Sequence, residues 1–397
     1  MRRYETTIKE LINARNNYEK ISKKKTVFLS DWDANFESIK MPKISFDEVT
    51  NHAIQKYYFW TDEENYKRNI IDYFKRTFSF EIPSETFTIA ANGTSSLMIA
   101  MSALKEKGIQ KILIFTPIYF SILNILDEMD FEVAEYNLSC ENSFKIDFNK
   151  LENTVQTNNI EAIIINNPTF GTGIELTIEE IKKISSICNK YDIWFFMDYI
   201  YGGLPWDTDN NQNYIFNYPV YKAVHSANKH IFIESISKRV FFNGIKFALI
   251  FFQPDFMRRI LRLSVFMVGS MSIHQVELVK KLYSLPNHDE LTYQIYENAQ
   301  EAQRNYMLIK NILKDSPCVL SDSMSGYFSI ITIPKTENES DLIFAQKILN
   351  RTGVLTIPHS RYLLKNTSLY SFRINLLINR CDLINGVTKI KNLEEYQ

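Results

Sequence analysis

Glycine is scarce in this chain, with 11 residues in 397, against roughly 7% in an average protein. Used so thinly, it stands mainly where the backbone demands it, and its positions are worth following. Cysteine is scarcer still: Cys140, Cys188, Cys318 and Cys381 lie far apart, with no C-x-x-C pair and no histidine at zinc-ligand spacing beside them. That pattern excludes a disulfide framework and a zinc module, and it reads as free thiols of a cytoplasmic protein. Charge of one sign is also lacking, since 45 basic residues balance 46 acidic ones to a formal charge of -1. A nucleic-acid-binding surface or an acidic tail is not expected from such a balance. No apolar run approaches the roughly 18 residues that a membrane span needs, and the longest, around Phe247 to Phe252, ends at Gln253-Pro254. The first residues, MRRYETTIKELINARNNYEK, are charged throughout and hold no apolar signal-peptide core. A soluble cytoplasmic protein without metal, nucleic acid or membrane as partner is expected.

Phenylalanine and tyrosine are plentiful, at 28 and 22 residues. Between about 85 and 252, short continuous apolar runs alternate with helix-like segments. The runs are Lys111–Pro117, Ala162–Pro168, Ile193–Asp198, Ile231–Ser235 and Phe247–Phe252. Strands apolar at consecutive positions are those buried on both faces, as in a parallel sheet flanked by helices. An α/β domain with three layers and a mostly parallel sheet follows. Thr94–Lys107 sets Leu97, Ala100, Met101 and Leu104 on one helical face, and Thr177–Lys190 does the same with Ile181, Ile184 and Ile187. From about 270 the pattern changes to one long helical stretch, Ser272 to Asp315, followed by Gly326–Pro334, a helix over Ser340–Asn350, the segment GVLTIP and a strand over Tyr370–Leu376. This reads as a smaller α+β domain. The expected division is an N-terminal arm over 1–45 that joins the small domain, a large domain over 46–270 and a small C-terminal domain over 271–397.

Three of the apolar strands end in polar residues. Asn166 and Asn167 follow one, Asp198 another, and Ser235, Ser237 and Lys238 the third. Ligands of parallel α/β sheets sit at the carboxyl ends of the strands, so an acid, amides, hydroxyls and a lysine should converge there. Singly, each has an ordinary explanation: a strand-end aspartate is usually a cap or turn residue, and a lysine after a strand is usually solvated. The joint pattern is what points to a site.

These residues resemble the fold type I pyridoxal-phosphate enzymes, most closely the class I/II aminotransferases, over roughly 45 to 380. Ser235-Ile236-Ser237-Lys238 resembles the family's S-x-S-K, and Asp198-Tyr199-Ile200-Tyr201 its D-x-x-Y. Ala91-Asn92-Gly93-Thr94-Ser95-Ser96 resembles the phosphate cup, and Pro117-Ile118-Tyr119 the segment with the ring-stacking aromatic. Gly326-Tyr327-Phe328 and Gly353–Pro358 match small-domain signatures, and Phe372-Arg373-Ile374 resembles the strand that carries the substrate-carboxylate arginine.

The resemblance implies pyridoxal 5'-phosphate as cofactor, with Lys238 forming the internal aldimine. A lysine in that role needs a partly neutral amine, which desolvation and neighbouring positive charge supply. Asp198 would pair with the pyridinium nitrogen and keep the ring an electron sink. Tyr201 would hydrogen-bond the ring oxygen, and Tyr119 would stack on the ring face. Gly93, Thr94 and Ser95, opening a helix, would aim N–H groups at the phosphate, and Ser235 and Lys246 would complete that cup. Lys246 stands where the family usually has arginine, so a point charge replaces a bidentate grip. Arg373, in an otherwise apolar strand, needs a carboxylate, and the resemblance assigns it that of the substrate. Asp33, in Leu29–Asn35, aligns loosely with the family's substrate-facing N-terminal loop. Tyr58, in the run Tyr57-Tyr58-Phe59-Trp60, resembles the tyrosine that crosses a homodimer interface to the neighbour's phosphate, with Tyr57 as competitor.

Two positions depart from the family. Its loop N-P-x-N-P-T-G reads here Asn167-Pro168-Thr169-Phe170-Gly171-Thr172-Gly173, so Phe170 replaces the asparagine that contacts the ring oxygen. Either Asn167 supplies that contact from a shifted loop, or Tyr201 serves alone. His359 stands where glycine is usual and is expected as a polar surface histidine near the substrate's entry. The resemblance thus implies amino transfer between an amino acid and a 2-keto acid. The alternative is a lyase or cyclase of the same fold that eliminates, replaces or cyclises an amino acid, which Phe170 and the N-terminal loop favour slightly. A transcriptional regulator with this fold would need a basic DNA-binding domain, for which the 45 or so residues ahead of the large domain are too few.

Overall fold

The apolar runs form the centre of a seven-stranded sheet. The structure, a computed structural model, describes residues 3–393 apart from 36, 38, 48, 59–63, 79–80, 207–217, 285–287, 336–338 and 366–367. In chain order the strands are β1 (Val27–Phe28), β2 (Phe87–Ala90), β3 (Lys111–Thr116), β4 (Glu132–Asn137), β5 (Ala162–Asn166), β6 (Trp194–Asp198), β7 (His230–Glu234), β8 (Ala248–Phe252), β9 (Val319–Leu320), β10 (Phe328–Pro334), β11 (Val354–Leu355), β12 (Ile357–Pro358) and β13 (Leu369–Asn375). The large sheet runs β2-β8-β7-β6-β5-β3-β4. Its strands are parallel from β7 through to β4, while β8 runs against both of its neighbours. All residues of β2, β5, β6, β7 and β8 are buried, which is why these segments carry no polar alternation. Helix Gly93–Glu106 packs on β7 and β8, while Ile178–Lys190 and Tyr218–His225 pack on β6 and β7. The first is started by Asn92 and the second by Thr177, each through a capping box.

The second sheet, β12-β13-β10-β9, is antiparallel. A separate parallel pair, β1 with β11, brings the N-terminal chain alongside it. The segment after β1 is then fastened to β13. Asn375 N donates to Leu29 O at 2.7 Å and Asn35 N to Leu377 O at 2.8 Å. The buried Asn375 side chain donates to Asp31 O at 3.1 Å and Asp33 O at 3.0 Å and accepts from Leu377 N at 2.8 Å. Trp32 and Asp33 therefore sit on a backbone fixed at several points.

The expected long helix over Ser272–Asp315 is two helices, Ile273–Leu282 and His288–Ile312. Pro286, which cannot continue a helix, stands between them in the sequence, among residues outside those described. GVLTIP is also divided, because β11 pairs with β1 and β12 with β13. β2 and β4 had no separate sequence signal; β4 lies at the sheet edge with Glu132, Val133 and Glu135 exposed, neither continuously apolar nor cleanly alternating. None of the four cysteines is in a disulfide, and no described helix is long and apolar enough to cross a membrane. Phe59 and Trp60 of the aromatic run lie outside the described residues.

Replacing Asn375 with leucine would leave one buried N–H and two partly buried carbonyls without their partner. Each buried unpaired group costs about 1–3 kcal/mol, so Asn375→Leu should lower stability by about 2–4 kcal/mol in urea unfolding. Limited proteolysis should cut first within residues 29–35.

Candidate active site

The carboxyl ends of β2, β3, β5, β6 and β7 and the start of β8 all lie at one edge of the large sheet. A cavity of about 560 Å³ opens there, lined by Asn92, Gly93, Thr94, Ser95, Tyr119, Asp198, Ile200, Tyr201, Ser235, Ser237, Lys238 and Lys246 among others. A second cavity of about 470 Å³ adjoins it, sharing Tyr119, Tyr201, Lys238 and Lys246 and walled further by Trp32, Asp33, Phe120, Asn243 and Gly244. The expected convergence of acid, hydroxyls and lysine is thus present.

Asp198 is buried at the end of β6. Burial raises its carboxyl to about 6, opposed by the Ile200 N–H and the Asn166 amide that bind it. Asn166 Nδ2 donates to Asp198 Oδ2 at 2.7 Å, and its Oδ1 accepts from Tyr119 N at 2.8 Å. This asparagine links the acid to the aromatic above the cavity and escaped functional assignment from sequence; its only signal is its place at a strand end. Burial lowers the Lys238 ammonium to about 8, the nearby Lys246 lowers it further, and Asp33 opposes both. Its Nζ donates to Asn243 Oδ1 at 2.8 Å and lies 5.6 Å from the centre of the Tyr201 ring. Burial holds the Tyr201 phenol well above its ordinary value, and the Tyr119 phenol is raised by the same cause.

At the opposite wall, helix Gly93–Glu106 points its first turn at the cavity. Ser95 is engaged in the cap: its N–H donates to Asn92 Oδ1 at 2.9 Å and its Oγ to Asn92 O at 2.8 Å. The N–H groups of Gly93 and Thr94 remain as anion donors of that turn. A Cβ on Gly93 would stand 2.3 Å from Ile200 Cδ1, so glycine keeps the approach open. The Ser235 hydroxyl bonds Phe247 O and lies 2.6 Å from Ser237 Oγ. Lys246 reaches both cavities as an exposed cation.

Arg373 is wholly buried on β13. Its Nη2 donates to Ser30 O at 2.6 Å, while Nε and Nη1 have no partner. Among the described residues no carboxylate pairs with it. The guanidinium is instead sandwiched, 3.6 Å from the centre of the Trp32 ring and 4.4 Å from that of Phe328. It lines neither cavity; Trp32, which lies against it, forms part of the wall of the second. Nothing in the sequence indicated this cover.

Phe170 is buried at the centre of an aromatic group, with ring centres 4.7 Å from Tyr362, 5.4 Å from Tyr119 and 6.2 Å from both Trp32 and His359. The expectation of a surface histidine at 359 is wrong: the side chain is fully buried, because the second sheet folds it against the Phe170 loop. Its Nε2–H donates to Phe170 O at 2.8 Å and its Nδ1 has no partner. Burial and the neighbouring Arg373 lower the imidazole to about 3, which removes it as an acid or base near neutrality. Asn167 is also buried; its Oδ1 accepts from Leu176 N at 2.9 Å and its Nδ2 has no partner. It lines a narrow cavity together with Asp198, Tyr201 and Phe170. Tyr58 lies outside these linings, its hydroxyl donating to Ala53 O at 3.0 Å.

The model of the family described as aminotransferase class I and II matches residues 12–390. Nicotianamine aminotransferase 1 of Oryza sativa subsp. japonica is 28% identical over 138 residues, which cover 35% of this chain and 28% of the rice protein. Tyrosine aminotransferase of Caenorhabditis elegans is 26% identical over 216 residues, 52% of this chain and 43% of the nematode protein. The matched stretches therefore span less than half of either relative. A Thermus thermophilus aspartate aminotransferase double mutant shares the fold at a TM-score of 0.81 and 14% identity, with 99% of this chain and 97% of that one covered.

The buried histidine makes stability depend on pH. Unfolded, an imidazole binds a proton near 6.5; folded, His359 does so only near 3. Between these values the unfolded state holds more protons, so stability is lost as pH falls from 6.5 toward 3, by about 1.4 kcal/mol per unit. Urea midpoints should drop between pH 7 and pH 5, and His359→Gln should flatten that slope.

Proposed function

Because the chain belongs to the class I and II aminotransferase family, whose members depend on pyridoxal phosphate, we propose that it moves an amino group between an amino acid and a 2-keto acid, with the cofactor held over Lys238. The observation that carries this reading is the first cavity. A lysine with a weakened ammonium, a buried carboxylate and a helix N-terminus face one another across about 560 Å³. The donor set fits a ring nitrogen cation at one end and a phosphate dianion at the other. When bound, the cofactor supplies an electron sink for the bond broken at the amino acid's Cα.

The chain's own residues then divide the work. Asp198, oriented by Asn166 and the Ile200 N–H, offers a negative charge to the ring nitrogen, and that cation would draw its carboxyl back toward the ionised form. Gly93 and Thr94 N–H groups, the Lys246 ammonium and the Ser95 and Ser235 hydroxyls surround the phosphate end. Tyr119 covers one face of the ring. Tyr201 meets the ring oxygen, joined by the unpartnered Nδ2 of Asn167, which supports that asparagine as the substitute for the contact Phe170 cannot make. Lys238, with its amine partly neutral near pH 8, carries the proton from Cα.

Arg373 takes the substrate's α-carboxylate, since two of its nitrogens are buried and unpartnered. Access requires the Trp32 ring to leave the guanidinium. Asp33, exposed beside that ring, faces the substrate's side chain. The homodimer belongs to the same reading: Tyr57 and Phe266 are 77% and 84% exposed, and Tyr58, outside its own cavity's lining, would turn its hydroxyl from Ala53 O to a neighbour's phosphate. In this reading residues 46–270 bind the cofactor, while 1–45 and 271–397 form the small domain.

Two experiments test the reading. Purified protein loaded with the cofactor should show a visible absorbance band, and Lys238→Ala should lose both that band and amino transfer. A loaded wild-type protein inert toward every amino acid and 2-keto acid pair would sink the proposal. In steady-state kinetics, Arg373→Gln should raise KM for the keto acid by at least about tenfold, whereas Trp32→Ala should lower it.

A further inference from the structure

Asn243 lies five residues beyond Lys238 and was assigned nothing by its sequence context. The chain turns back on itself to bring it there. After the single-turn helix Ile236–Arg239, Phe242 N donates to Ser237 O and Asn243 N to Phe241 O, both at 2.8 Å, with Phe241 at φ 59°. The amide then bridges two elements. Its Oδ1 accepts from Lys238 Nζ at 2.8 Å, and its Nδ2 donates to Asp33 Oδ1 at 2.9 Å.

This bridge has a direction. A carboxylate can only accept, so Asp33 requires the NH₂ end of the amide and leaves the oxygen end for the amine. The Asp33 backbone is fixed, because Asn375 Nδ2 holds its carbonyl from β13. The lysine amine is thereby tied, through one side chain, to the segment that walls the substrate cavity. Among the described residues Lys238 has no other hydrogen-bond acceptor and no ion pair, and Lys246 repels it from the phosphate side.

We propose that Asn243, its amide oriented by Asp33, is the positioning residue for Lys238, holding the free ε-amine at the substrate side of the cavity. The inference rests on Lys238 being the cofactor lysine. An amide oxygen suits this task better than a carboxylate. It accepts one N–H from either charge state, so a neutral amine keeps its lone pair available to take the Cα proton. A carboxylate in the same place would hold the amine as ammonium and remove the base. Asp33 lies beyond the amide, where it orients the contact without making it.

The test has an arm that needs no cofactor. Competitive acylation of Lys238 across pH, read by mass spectrometry on cofactor-free protein, reports the amine directly. Asn243→Asp should move its titration up by at least one pH unit, and Asn243→Leu should move it down and raise labelling at neutral pH several-fold. In the loaded protein, Asn243→Leu should slow exchange of the amino acid's Cα hydrogen with deuterated water at least tenfold while amino-acid affinity stays within threefold. Asp33→Asn should act in the same direction, and the double variant should be no slower than the more impaired single one. Should Asn243→Leu fail to fold by circular dichroism, Asn243→Ser carries the same expectations. Labelling curves that superimpose on wild type, or additive effects of the two positions, would overturn the proposal. Shifted labelling in a protein that transfers no amino group would instead remove the proposed activity and leave the amide contact standing.

Discussion

Placing a guanidinium in the interior without a carboxylate is costly, by several kcal/mol after relaxation, and a large part of this structure surrounds one. Arg373 stands on β13 with aromatic rings on both faces of its guanidinium, whose one hydrogen bond among the described residues goes to the Ser30 carbonyl. Ring quadrupoles recover a fraction of the lost hydration, and the carbonyl recovers more. The same contacts bring the N-terminal segment to the site. Ser30 bonds the Arg373 carbonyl with its hydroxyl and accepts from Ile357 N at 2.8 Å, and Asn375, two residues along β13, holds Asp31 and Asp33. One strand of the second sheet therefore presents the cation, its cover and the acid that reaches toward Lys238.

The large sheet answers with its own buried charges. Arg239, next to Lys238, is buried in an ion pair with Glu234 at 2.7 Å and donates through Nε to Gly202 O at 2.8 Å. It thus joins the end of β7 to the turn after β6 that carries Tyr201. Gly203, at φ 75°, would place a Cβ 2.5 Å from Arg239 Nε, so only glycine lets the guanidinium lie against this turn. Asn166 does comparable work on the other side, connecting Asp198 to the Tyr119 backbone. The lysine, the acid and the covering aromatic are held in relation to one another by amides and guanidinium groups rather than by apolar packing alone. Such networks are rigid when satisfied; Arg373 Nε and Nη1 and Asn167 Nδ2 are among the buried polar atoms left without a partner here.

Much of this was legible in residues alone, and for physical reasons. Strands buried on both faces leave continuous apolar runs, so β3, β5, β6, β7 and β8 were readable, as were helices opened by Asn92 and Thr177. Strand direction was not, because an apolar run looks the same either way, and β8 proved antiparallel. β4 was invisible because an edge strand needs no apolar face. At the site, Asp198 and Lys238 stood out as polar ends of apolar strands, and Tyr201, Gly93 and Arg373 through the resemblance of their segments to the family's motifs. Asn243 and Trp32 did not, since nothing in their neighbourhoods along the chain distinguishes them from ordinary turn and loop residues, and Asn166 showed only as a strand-end amide without a role of its own. His359 was misjudged because its burial comes from the Phe170 loop, nearly 190 positions away.

By itself, the sequence determined which chemical groups are available and in what order the strands deliver them, because those depend on local pattern and residue type. Tertiary structure decided their state and their reach. Proton affinity follows desolvation and neighbouring charge, so only packing could bring Lys238 down to about 8, Asp198 up to about 6 and His359 down to about 3. Access follows from which side chain lies across which, and the indole over Arg373 meets it from a segment more than 300 residues distant in the chain.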